Sequence, residues 1–175
     1  MDAGCATMSA AQPESGLESE RQFIVDALNV AYWCGRTPML RLPLALLVHL
    51  LDAGRQARLY FDASARYRFG HEAELYQRLL EQHPEQLIEV PSGKTADGVL
   101  LRQARASGAC ILSRDRYRDH RRRYRRLIDD PTRLISGWVH DERMLLPALG
   151  LDFVLPPSAE EAAARWQTLP AVASA

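Results

Sequence analysis

The chain has 175 residues, no formal net charge and a hydrophobic content of 47%, which suffices for one domain with its own core and no staples. No stretch approaches the roughly 18–20 apolar residues of a membrane span, and the first 20 residues have neither the basic nor the apolar region of a signal peptide. The three cysteines (Cys5, Cys34, Cys110) have no metal-type spacing and make no even disulfide set, so the expectation is a protein of the reducing cytoplasm with no membrane partner.

Residues 1–20 are rich in Ala, Ser, Gly and Glu, carry four acids and no base, and read as a disordered tail. Phe23-Ile24-Val25 is a β-rich run that ends at Asp26, a first strand. Leu40 to Leu51 has apolar residues at 40, 44, 47 and 51 and at 42, 46 and 50, which is helical spacing, stopped near Gly54. Arg58 to Phe61 is a second strand ending at Asp62, and Glu72 to Gln82 an amphipathic helix carrying Leu75, Leu79 and Leu80. Gln86 to Val90 is a third strand closed by Pro91-Ser92-Gly93. Thr95 caps a helix from Ala96 to Ala106 that Gly108 ends, and Cys110 to Ser113 is a fourth strand, with Cys110 a small core residue. Tyr117 to Ile128 is a polar helix and Leu134 to Val139 an edge strand. The domain spans 21–155, and 156–175 reads as a C-terminal tail.

Strands alternating with helices imply an α/β fold, a mainly parallel sheet flanked by helices. Ligands of such sheets bind beyond the carboxyl ends of the strands, where strand order reverses. Asp26, Asp62 and Asp115 lie at or just past such ends, and Asp97 opens a helix near the same edge. One aspartate after a strand is usually a helix cap or a turn residue. Several at one edge suggest a divalent cation, because carboxylates that converge need a countercharge.

The order of these residues resembles a known family. Asp26-Ala27-Leu28-Asn29-Val30 is similar to the D-x-x-N-V/I signature of the NYN branch of PIN-like ribonucleases. Lys94-Thr95-Ala96-Asp97 resembles the K-x-x-D that opens the central helix of that group. Ser113-Arg114-Asp115-Arg116-Tyr117-Arg118-Asp119 resembles the S-x-D-x-Y-R-D form of the subgroup related to the CCCH-zinc-finger-associated (Regnase-type) ribonucleases. The resemblance implies a three-layer PIN-like fold and Mg²⁺- or Mn²⁺-dependent endonucleolytic cleavage of RNA, single-stranded or in loops. It implies that Asp26, Asp97, Asp115 and Asp119 hold the metal and that Asn29 orients the first carboxylate or a metal-bound water. The chain departs from the pattern: Ala96 stands where the subgroup has a second acid, Leu28 is bulky, and there is no CCCH finger. Related domains often pair, so Met144-Leu145-Leu146 is either core or the interface of a homodimer.

A basic constellation follows the last acids. Between Arg21 and Leu155 there are 21 basic and 16 acidic residues, and Lys94 is the one lysine. Eight of the arginines fall in 114–126, interleaved with Tyr117 and Tyr124. On a helix Arg118, Arg122 and Arg125 share a face, and arginine forks hold phosphates while tyrosines stack bases. Lys94, Arg118 and Arg122 are candidate phosphate contacts, Arg66 and Arg68 weaker ones; the competing reading is a solvated face paired to Asp129, Asp130 or Glu142. The five histidines show no ligand spacing and read as structural or surface residues, and Asp62 has no role beyond a turn or the rim. Three functions compete: a metal-dependent endoribonuclease, a catalytically degenerate RNA-binding module, and a phosphotransfer domain with Asp26 as nucleophile, which would want an acid where Leu28 stands.

Overall fold

The computed structural model describes residues 21–169; the predicted N-terminal tail, residues 1–20, and the last six residues lie outside the described residues. In chain order the elements are β1 (Gln22–Asp26), α1 (Ala27–Ala31), α2 (Arg41–Asp52), β2 (Gln56–Phe61), α3 (Ala65–Arg68), α4 (Ala73–Gln82), β3 (Leu87–Glu89), α5 (Ala96–Ser107) and β4 (Cys110–Leu112). Then come α6 (Arg121–Ile128), β5 (Leu134–Ile135), β6 (Trp138–His140), β7 (Arg143–Leu146), β8 (Leu151–Val154) and α7 (Ala159–Thr168).

The fold is α/β and PIN-like. Five strands pair in the order β3-β2-β1-β4-β5, and all four pairings are parallel. The chain moves outward from β1 to β2 and β3, then returns to place β4 on the other side of β1. The order therefore reverses between β1 and β4, which opens a crevice at their carboxyl ends. Both faces of the sheet are covered. Phe23, Val25, Leu59, Phe61 and Leu112 bury against one set of elements that includes α2 and α4. Ile24, Tyr60 and Ile111 bury on the other side with Leu100, Leu101 and Ala104 of α5 and Tyr124 and Leu127 of α6. Side chains alternate along a strand, so Asp26 shares the parity of Ile24 and emerges toward α5.

The helix signals act as expected at α5. The Thr95 hydroxyl accepts from the Gly98 N–H at 3.3 Å, and Gly108 ends the helix with φ +76°. Three expectations need correction. Leu134 to Val139 is not one edge strand: Leu134–Ile135 pairs in parallel with β4, while Trp138–His140 joins β7 and β8 in a separate antiparallel sheet. The break falls at Gly137, where a Cβ would stand 2.6 Å from the Leu145 carbonyl oxygen and 2.6 Å from Leu146 Cγ. No side chain fits there. The predicted tail, 156–175, is not simply a tail over its described part, because α7 packs on α2 and buries Ala159, Ala162, Ala163 and Trp166. Ser158 caps it through its hydroxyl, which accepts from the Glu161 N–H at 3.2 Å. Finally, the predicted helix from Tyr117 starts late. Tyr117 takes a left-handed conformation (φ 46°, ψ 44°), a 3-10 turn covers Arg118–His120, and α6 begins only at Arg121. Met144 and Leu146 belong to the core.

Candidate active site at the carboxyl edge of the sheet

Asp26 closes β1 beside the end of β4 and is 8% exposed. Its Oδ2 accepts two hydroxyl hydrogen bonds, from Ser113 Oγ at 2.9 Å and from the Tyr117 hydroxyl at 2.9 Å. Its Oδ1 has only a long contact, 3.4 Å, from the Asn29 backbone N–H. Burial pushes the Asp26 carboxyl up to about 6; the bonds from Tyr117 and Ser113 oppose that rise, and the charge of Asp97 adds to it. The two hydroxyls come from the loop after β4, which wraps the carboxylate. Ser113 Oγ accepts from the Asp115 N–H at 3.0 Å, and Asp115 Oδ1 accepts from the Tyr117 N–H at 2.7 Å. That second turn sets the left-handed backbone of Tyr117, an uncommon state for a bulky residue. It brings the phenol inward, 2% exposed, onto Asp26.

Asp97, in the first turn of α5, faces the same crevice. Burial and the charge of Asp115 hold its carboxyl above the usual carboxylate range, and His120 counters them. Asp97, Asp115, Asp119 and His120 line one open cleft of ≈ 390 Å³ together with Arg114, Arg116, Tyr117 and Arg118. Asp26 stands behind its Tyr117 wall. The structure thus brings Asp97, Asp115 and Asp119 to one cleft, with Asp26 held from behind by Ser113 and Tyr117. The carboxylates supply the oxygen donors a hard cation takes. Among the described residues, however, no group of three His, Cys, Asp or Glu side chains forms an array that could by itself hold a metal ion.

Other expected roles shift. The Asn29 side-chain oxygen accepts from Trp33 Nε1–H at 3.0 Å and from the Arg114 N–H at 2.9 Å, so it fixes the β4 loop and reaches Asp26 only through its backbone. Tyr117 and Tyr124 are buried and offer no stacking face. Arg118 lies in the cleft, whereas Arg122 lines a separate depression with Arg105, Arg123, Arg126 and Arg133. The late start of α6 is what separates them. Arg66 pairs with Glu89, and Arg68 donates to Ser64 Oγ and the Tyr32 hydroxyl, so neither stands ready for a phosphate. Lys94 is exposed in the turn before Thr95 and does not line the cleft. Asp62 is a turn residue whose Oδ1 accepts from the Ser64 N–H at 2.8 Å. Part of the α6 face is solvated pairing, since Arg121 and Arg125 both reach Asp129. His49 stacks on Phe153 and His83 packs at a tilt against Trp166, as structural residues do; His120, read as structural or surface, instead lines the acidic cleft.

Sequence reasoning missed Ser113 as a partner of Asp26 and gave Tyr117 the wrong role. The spacing held a signal: in a Ser-x-Asp-x-Tyr run straight after a strand, the Asp can turn the chain back so that both hydroxyls point at the neighbouring strand end. A family model described as the Zc3h12a-like ribonuclease NYN domain matches residues 19–149. No curated protein matches the chain.

Proposed function

The chain belongs to the Zc3h12a-like ribonuclease NYN domain family, and from that premise we propose that it is a Mg²⁺- or Mn²⁺-dependent endoribonuclease whose cleft at the β1–β4 crevice hydrolyses phosphodiester bonds of single-stranded or looped RNA. One observation carries the reading. Asp97, Asp115 and Asp119 line one cleft with Asp26 behind its Tyr117 wall, and burial together with a neighbouring carboxylate (Asp97 for Asp26, Asp115 for Asp97) raises Asp26 and Asp97.

A divalent cation reverses both effects, and Mg²⁺ in particular takes one or two carboxylates while keeping several waters. The donor set fits such an ion without a closed protein cage. Asp97, Asp115 and Asp119 present carboxylates to the cleft, and Asp26 has Oδ1 left over from its hydroxyl pair. When bound, the ion lowers the pKa of a water and neutralises charge on the phosphate during in-line displacement. The residues themselves do the rest. Ser113 and Tyr117 keep Asp26 in one rotamer, Asp115 orders its own loop, and Arg116 and Arg118 at the rim draw the phosphodiester toward the acids.

Ala96 and, among the described residues, the absence of a closed ligand array favour the second reading, a degenerate module that binds RNA without cutting it. Incubating a labelled single-stranded RNA with Mg²⁺, Mn²⁺ or EDTA, for wild type and Asp26→Asn, separates them. Metal-dependent cutting that the substitution abolishes establishes the nuclease. Salt-sensitive RNA binding that survives EDTA, with no cutting by either protein, establishes the module.

A further inference from the structure

Resting on the nuclease reading of the cleft, we propose that Arg114 is a positioning residue: it clamps the loop bearing Asp115 and Asp119 to α1 and to the second sheet, and it is not an RNA contact. Of the eight arginines in 114–126 it is the one that sits between Ser113 and Asp115. Its Nε donates to the Gly137 carbonyl at 2.7 Å and its Nη1 to the Trp33 carbonyl at 3.2 Å. Its guanidinium carbon lies 4.8 Å from the centroid of the Trp33 ring. Its backbone N–H and the Trp33 indole N–H converge on one acceptor, Asn29 Oδ1. Asn29, Trp33 and Arg114 therefore close a ring of contacts, and Gly137 anchors that ring to the second sheet.

The receiving surface is built to shape. Trp33 is buried in the core, and a Cβ on Gly137 would meet the Leu145 carbonyl, Leu146 and, at 2.8 Å, Trp33 itself. β7 thus presses on Gly137, Gly137 holds Arg114, and Arg114 adjoins Asp115. From Asp115 the contacts run through the Tyr117 N–H and phenol to Asp26. Only a planar fork serves two carbonyls on different segments while lying over an indole; an ammonium cannot. The arginines suited to phosphate are others: among the described residues Arg116, Arg118, Arg122 and Arg126 have no ion pair or side-chain hydrogen bond. Arg114, Arg116 and Arg118 all line the acidic cleft, so position does not separate them; what does is that the Nε and Nη1 of Arg114 are already engaged by the Gly137 and Trp33 carbonyls.

A positioning role and a phosphate contact change different constants. The comparison uses full-length wild type, Arg114→Ala, Arg114→Lys and Arg116→Ala, with steady-state cleavage of single-stranded RNA, RNA affinity across a salt series, and NMR exchange of the Trp33 Nε1–H. The clamp predicts that Arg114→Ala lowers kcat about 10- to 100-fold, the order that a small misplacement of reacting groups costs. KM stays within about twofold and the salt slope is unchanged, and lysine does not rescue, whereas Arg116→Ala raises KM and flattens the slope. Exchange of the Trp33 indole proton quickens in Arg114→Ala without RNA or metal. A raised KM, a salt slope reduced by about one and an unchanged kcat in Arg114→Ala would overturn the clamp in favour of a phosphate contact. If Arg114→Ala does not fold, Trp33→Phe keeps an aromatic face near Arg114 but removes the indole donor and part of the buried ring; it should lower kcat several-fold at constant KM, and an unchanged kcat there sinks the idea. A wild type that cuts nothing defeats the nuclease reading, and the indole exchange still decides the clamp.

Discussion

Asp26 sits between opposed forces: burial and Asp97 favour its neutral form, while Ser113 and Tyr117 favour its charge. Its carboxyl moves from the ordinary 3.8 up to about 6. Below about pH 4 both folded and unfolded chains hold the proton. Between about 4 and 6 the folded chain keeps a proton that the unfolded chain has released, so stability falls as pH rises. Above 6 the loss is complete, about 3 kcal/mol at 1.36 kcal/mol per unit. Asp26→Asn, the substitution that abolishes cleavage under the proposed function, should therefore stabilise the fold. At pH 7.5 the gain should be about 1–2 kcal/mol, since the amide forfeits part of the charge-assisted bonding, or roughly 3–6 °C in Tm. At pH 4.5 most of it disappears. Paired thermal melts at the two pH values check this, and a variant less stable than wild type at pH 7.5 refutes the assigned cost of the charge. Tyr117→Phe removes the largest force opposing the rise. The acid limb of the pH–rate profile should move up by about one unit, the worth of one hydrogen bond to a charge, with the deficit shrinking as pH rises. An unshifted limb would mean that the phenol does not tune Asp26. The carboxylates themselves were legible because Asp26 ends a strand, Asp115 and Asp119 follow one, and Asp97 opens a helix at the same edge. The hydroxyls around Asp26 were not, because their direction depends on the left-handed turn at Tyr117, which no periodicity encodes.

At the scale of elements, the strands and helices of the main sheet follow their sequence signals, and the departures have local causes. The run from Leu134 to Val139 reads as one strand because strand-favouring residues stand at both of its ends, yet the close approach of β7 at Gly137 hands its second half to another sheet. The arginine-rich stretch reads as one helix with a shared basic face, yet the turn that seats Tyr117 postpones the helix by four residues. The basic surface is accordingly divided. Arg118 lines the acidic cleft and also a depression it shares with Arg121 and Asp129, Arg122 lines the depression toward α5, and Arg121 pairs with Asp129. Arg118→Ala should weaken RNA binding and reduce the salt slope by about one. Arg121→Ala, which breaks an exposed pair worth at most about 1 kcal/mol, should leave both within error. Binding titrations from low to moderate salt distinguish the two. Equal losses in both variants would mean that RNA runs along α6 and not into the cleft.

The whole molecule is larger than the segment that carries its chemistry. The matched family segment ends at residue 149, whereas the packed structure continues through β8 to α7, whose inner face lies on α2 and whose Trp166 meets His83 at 4.0 Å between ring centroids. That helix reads as a tail because its buried positions are mostly alanines among glutamates, which leave little hydrophobic periodicity beyond Trp166. The site lies elsewhere, at the carboxyl edge between β1, β4 and α5, so stability and catalysis separate in space. Trp166 is 8% exposed, and Trp166→Ala should cost about 3–5 kcal/mol, the range for deleting a large buried aromatic. In a chain of this size that lowers Tm by roughly 6–20 °C. Below the new transition the β1–β4 crevice is intact, so kcat and KM at low temperature should match wild type within about twofold. A cation that binds the cleft adds RT ln(1 + [L]/Kd) to both proteins alike, about 2.7 kcal/mol at a hundredfold excess over Kd. Melts of wild type and Trp166→Ala with and without Mn²⁺ should therefore run parallel. A smaller cation-induced shift in the variant would show that α7 reaches the acids through α2 and the sheet, and that the two halves of the molecule are coupled after all.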